Sequence, residues 1–81
     1  MKMQKIVEAL EYARDCCRYG YVEVTIPGQE GTELIVNDSE SLDNKIAYYK
    51  KVYGEDGVHG MNDRIKIVSA GGIEYIRKVE Y

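Results

Sequence analysis

The sequence predicts an α+β fold in the order α-β-β-α-β-β: a four-stranded antiparallel sheet with two helices on one face. Three observations predict it. Apolar residues recur at helical spacing in two segments, they alternate at strand spacing in others, and glycine-rich stretches separate the pieces. Eighty-one residues bound a single domain, 1–81, near the small end of what folds without disulfides or metals.

Each element follows from its residues. Across 3–19, Met3, Ile6, Val7, Leu10, Ala13 and Cys17 form one helical stripe, and Gly20 stands where a helix would stop. "YVEVTIP" then alternates, with Val22, Val24 and Ile26 on one side and Tyr21, Glu23 and Thr25 on the other. "PGQEG" turns the chain, and "TELIVN" reads as the antiparallel partner. Asp38 or Ser39 is placed to cap a second helix with the stripe Leu42, Ile46, Tyr49 and Tyr53, closed by Gly54. Both helices are thus expected to end in Tyr-Gly. A final hairpin, "RIKIVSA" and "GIEYIRKVEY", is predicted to turn at Gly71-Gly72. The favoured pairing places Ile65, Ile67, Ile73, Tyr75 and Val79 on one face, and Arg64, Lys66, Val68, Ile76 and Lys78 on the other.

Composition narrows the function. Hydrophobic residues make up 44% and charged residues 31%, the balance of an ordinary soluble globule, and no run is apolar enough for a membrane span. The start, "MKMQKIVEAL", lacks the continuous apolar core of a secretory signal. Cys16 and Cys17 are adjacent and cannot close an ordinary loop, so a reducing, cytoplasmic setting is expected. The net charge of −3 is unevenly spread: residues 21–63 carry nine acidic and three basic side chains, residues 64–81 four basic and two acidic. That distribution argues against nucleic-acid binding by the whole chain, though not by its last segment.

No catalytic pattern is legible. The stretch "YGEDGVHGMNDR" gathers Glu55, Asp56, His59 and Asp63, yet their spacing matches neither a calcium loop nor a zinc site. It reads as a solvated, glycine-rich connection, and no metal or cofactor is expected. The cysteines lie near a helix C-terminus, where the dipole disfavours a thiolate, and "SAGG" is followed by no helix that could cradle a phosphate.

Binding is the better expectation. On the first helix Glu8, Tyr12, Asp15 and Tyr19 fall together, flanked by Glu11, and Tyr48 protrudes from the second. Tyrosine gives large contact area at modest entropic cost, so these residues are the predicted protein-binding face. The alternative is a nucleic-acid- or anion-binding hairpin through Arg64, Lys66, Arg77 and Lys78. Free sheet edges would also allow a homodimer.

Tiny, acidic, tyrosine-rich, α+β and without catalytic signature, the chain resembles small phage- and prophage-encoded accessory proteins, including anti-CRISPR inhibitors. The resemblance covers the character of the whole chain and transfers no residue. It implies a non-enzymatic protein that occupies a host protein's surface. A net charge of −3 is weak for a nucleic-acid mimic and favours contact by shape.

Overall fold

A computed structural model describes residues 1–74. Helix α1 spans Met3–Cys16 and buries Ile6, Leu10 and Ala13, as its stripe requires. It ends before the expected Gly20. Cys17 already has extended backbone, with its N–H still bonded to the Ala13 carbonyl, and Tyr19 and Gly20 open strand β1, Tyr19–Thr25. Gly20 serves close packing rather than helix termination. A side chain there would stand 2.7 Å from Leu42 Cδ1 and 3.3 Å from Ala13 Cβ.

Strand β2, Thr32–Asp38, pairs antiparallel with β1 from Tyr19–Asp38 to Thr25–Thr32. The loop between them turns on Gly28 and Gly31, both left-handed with φ of 81° and 82°. A 3-10 turn at Ser39–Ser41 leads into helix α2, Leu42–Val52. Neither Asp38 nor Ser39 caps α2 as expected; instead Ser41 Oγ donates to the Asp38 carbonyl at 2.9 Å, holding the turn. Like α1, α2 ends by passing directly into extended backbone, at its C-cap Tyr53, so Tyr53-Gly54 stands at a helix end as expected whereas Tyr19-Gly20 does not.

The largest departure is at the last hairpin. Strand β3, Ile67–Ile73, runs straight through Gly71 and Gly72, which pair with Tyr21 and Gly20 of β1. The described sheet therefore has three strands, ordered β2-β1-β3, all antiparallel, and the described order is α-β-β-α-β. Residues 75–81, with the expected positions of Tyr75, Ile76, Arg77, Lys78 and Val79, lie outside the described residues.

Tertiary packing explains the two glycines. A side chain at Gly71 would stand 2.9 Å from the Tyr21 ring, and one at Gly72 would collide with Cys17, just past α1, and crowd Ala13 of α1. They mark close approach, not a turn. The expected facing also changes. Glu23 pairs with Ser69 and Val24 with Ile67, so Val68 is an extra residue, a β-bulge. Ile67, paired with Val24, joins the buried cluster, while Ile73, paired with Tyr19, lies on the opposite face.

One core joins both helices to the inner side of the sheet: Ile6, Leu10 and Ala13 of α1, Val22 and Val24 of β1, Leu42, Ile46 and Tyr49 of α2, with Tyr53 and Ile67. Leu42 and Ile67 are fully enclosed. Each such aliphatic side chain contributes about 1.5–3 kcal/mol through burial.

Gly20→Ala and Gly72→Ala should each destabilise the fold by about 1–3 kcal/mol, the usual range for overpacking. Urea unfolding followed by circular dichroism measures it. A wild-type midpoint for Gly72→Ala would contradict the close approach of α1.

Candidate functional site

The side chains anticipated as the protein-binding residues, four on the first helix and Tyr48 on the second, lie in three places. Glu8, Tyr12 and Asp15 share the exposed side of α1, with Tyr12 61% exposed. Tyr19 belongs to β1, and its side chain lies on the sheet face away from the helices. Tyr48, 51% exposed, lies on α2, but its position around the helix separates it from Tyr12. Arg14 Nη1 meets Asp43 Oδ1 at 2.7 Å, and Met3 and Gln4 share a cleft with Lys50, which fixes the facing sides of the two helices. Tyr12 sits two residues, about 200°, from Leu10 and Arg14; Tyr48 sits as far from Ile46 and Lys50. Each ring therefore occupies the flank remote from the other helix.

The carboxylates of the α1 face are engaged locally. Gln4 Nε2 donates to Glu8 at 3.4 Å, and Lys5 Nζ lies 4.0 Å away. Arg14 donates to Asp15 at 2.9 Å as well as to Asp43. The hydrogen bond from Arg14 holds the Asp15 carboxyl below the usual range, and the two carboxylates, Asp15 first, raise the guanidinium in turn.

A second surface was missed by sequence reasoning. Because the helices cover the side of β1 that carries Gly20, Val22 and Val24, the opposite side presents Tyr19, Tyr21 and Glu23. Across the β1–β2 ladder Tyr21 adjoins Val36 and Glu23 adjoins Leu34, which is 37% exposed. The bulge leaves Val68 46% exposed nearby. Neither helix packs on this side. The Tyr21 ring lies over Gly71, so it is held flat rather than projecting. At one end Thr32 Oγ1 donates to Glu23 Oε2 at 2.8 Å. At the other a shallow cleft of about 270 Å³ opens between Arg18, Tyr19, Asp38 and Glu40. The signal was present in the alternation of Tyr19, Tyr21, Leu34 and Val36, but it became legible only once the helices were assigned to the other side.

The basic alternative is only partly described. Arg64 and Lys66 are exposed, ahead of β3 rather than in a hairpin arm, and Arg77 and Lys78 lie outside the described residues. Their backbone anchors the sheet: Thr25 Oγ1 donates to the Arg64 carbonyl at 2.6 Å and accepts the Lys66 N–H at 3.0 Å.

The segment 54–63 is a tightly bonded connection. Asp56 accepts the Val58 N–H, His59 Nδ1 the Met61 N–H, and Asn62 the Arg64 N–H, each within 3.1 Å. Backbone bonds tie it to Met3, Val52 and Ile67, and the His59 ring stands edge-on to Tyr53 at 5.2 Å. Among the described residues no three His, Cys, Asp or Glu side chains are grouped to hold a metal ion. The loop joins the N-terminal end of α1, whereas Cys16 and Cys17 lie at its other end, about 20 Å along the axis, too far for His59 to act on a thiol. Burial also pushes the Cys17 thiol up, away from a reactive thiolate.

No family model, curated protein or solved structure matches the chain. No described helix is long and apolar enough to cross a membrane.

Burial, then neighbouring tyrosines, raises the Tyr49 and Tyr53 hydroxyls above the ordinary value. Their neutral forms are favoured in the fold, so the contribution is complete below the ordinary tyrosine value of about 10, at which the unfolded side chain is half ionised, and is lost as pH rises through the higher folded values. Unfolding should therefore accompany tyrosinate absorbance in alkaline titration, and Tyr53→Phe should move that limit to higher pH. An unchanged limit would contradict a stability role for this ionisation.

Proposed function

We propose that this protein is a non-enzymatic interaction module that binds a protein partner through the sheet face opposite its helices. The observation that carries the reading is the side-by-side placement of Tyr19 and Tyr21 with Leu34 and Val36 on a face that neither helix covers. Aromatic residues are enriched at protein interfaces, and contiguous apolar surface on a small domain marks a contact site more often than a scattered residue does. The Tyr21 ring is already seated over Gly71 of β3, so little of its side-chain freedom is lost on binding. The partner would be held by shape, consistent with the modest net charge and with the inhibitor-like character of the chain.

A second reading places the contact on α1, favoured by the 61% exposure of Tyr12 beside Glu8 and Asp15. Affinity capture from host lysate, with nuclease and at high salt, separates the two. Leu34→Lys and Val68→Lys change side chains that are already exposed, so stability should stay within about 0.5 kcal/mol. The sheet-face reading expects both variants to lose a partner that Tyr12→Ala retains. Loss with Tyr12→Ala alone would move the site to α1, and capture abolished by nuclease or salt would point to nucleic acid and Arg64 and Lys66.

A further inference from the structure

Among the described residues β2 is an edge strand, and two hydrogen bonds fix which of its backbone groups point outward. Thr25 donates its N–H to the Lys66 carbonyl at 2.9 Å, toward β3, whereas Ser39 donates to the Arg18 carbonyl at 2.9 Å across the β1–β2 side. In an antiparallel ladder the N–H and C=O of one residue point the same way, and the direction reverses at the next. Glu33, Ile35 and Asn37 therefore bond to β1, opposite Val24, Val22 and Gly20. The N–H and C=O groups of Thr32, Leu34, Val36 and Asp38 point off the sheet. The Asp38 carbonyl accepts from Ser41, so among the described residues the open run is Thr32, Leu34 and Val36.

This edge carries few of the usual devices against pairing. It has no proline, lysine or bulge, and its one internal charge is Glu33, whereas β3 is interrupted by the Val68 bulge. Above it stands α2. Asn37 of β2 adjoins Gly20 on the helix-covered side, and Leu42 of α2 lies over Gly20, which puts α2 toward the β2 side of the sheet; the flank of α2 remote from α1 carries Tyr48 and Lys45. A strand laid beside β2 would lie beneath that flank, bonded along one edge and roofed by the Tyr48 ring.

Charge identifies the occupant. From Tyr19 to Asn44 the chain holds six carboxylates and no cation, so Lys45, folded over the Tyr48 ring, is one cation set against six acidic groups. We propose that the free edge of β2 accepts an extended, basic segment of another polypeptide as an added strand, with main-chain bonds to Thr32, Leu34 and Val36. A second copy of this chain fits less well. It would oppose two acidic hairpins and bring two α2 helices together above the new ladder. The inference rests on the interaction-module reading but fails separately from it, because Val68→Lys alters the sheet face without touching this edge.

The test is amide exchange by NMR on the labelled protein, with a short capped peptide alternating valine with lysine and threonine, and its glutamate-for-lysine counterpart. The basic peptide should slow exchange at Thr32, Leu34 and Val36, while Glu33, Ile35 and Asn37 are protected beforehand. The acidic peptide should do neither. Leu34→Pro removes one outward N–H and no β1 bond, a position where an edge strand tolerates proline, and should weaken binding at least about tenfold. No added protection at the three amides, equal binding of the acidic peptide, full affinity in a folded Leu34→Pro variant, or concentration-dependent dimerisation protecting the same amides would overturn the proposal.

Discussion

Gly20 and Gly72 face each other across β1 and β3, and the close seating of helix α1 on the sheet depends on neither having a side chain. Ala13 lies over both, Cys17 over Gly72 and Leu42 over Gly20. With α1 seated this close, the chain passes from Cys16 to Tyr19 through only two residues, the extended Cys17 and a bend at Arg18. The glycine pair thus sets where α1 ends, how soon β1 begins and how closely α2 follows through Leu42. Because interiors are packed to crystal-like density, one methyl group added at the buried Gly20 would be felt by β1, α1 and α2.

From that contact the rest of the surface follows. With α1 pressed onto one side of β1 and β3 and α2 beside it, the other side presents Tyr19, Tyr21, Leu34 and Val36. The Val68 bulge lets Ile67 face inward while Ser69 and Ala70 stay in register with Glu23 and Val22. The connection from Tyr53 to Lys66 then closes the opposite end of the core, held by side chains that each bond a backbone amide two residues on. Chemistry-bearing types in that loop, Asp56 and His59 above all, have a structural occupation in this fold. The functional reading moves instead from the face of α1 to the strands, because β1 places Tyr19 with Tyr21.

Much of the architecture was legible. The helical stripes placed Ile6, Leu10, Ala13, Leu42, Ile46 and Tyr49 in the core, and strict alternation oriented β1 correctly. What failed was punctuation. Gly20 and Gly71-Gly72 read locally as a stop and a turn, because glycine is the default residue at both. Their role is set by residues distant in sequence, Leu42 for Gly20 and α1 for Gly72, and no local pattern reveals it. The candidate surface suffered from the same error. Tyr19 was counted with Tyr12 because the helix was extended to it, whereas the strand places it with Tyr21.

The most direct measurement of the central claim is the nuclear Overhauser pattern around Gly72. Gly20 and Gly72 form a pair without mutual main-chain hydrogen bonds, because the backbone groups of Gly20 point to β2, and in such pairs the α-carbons approach within about 4.5 Å. The account predicts strong α-proton contacts between Gly20 and Gly72, with methyl contacts from Ala13 to both. Turn contacts from Ala70 to Ile73, with no contact between the two glycines, would contradict it.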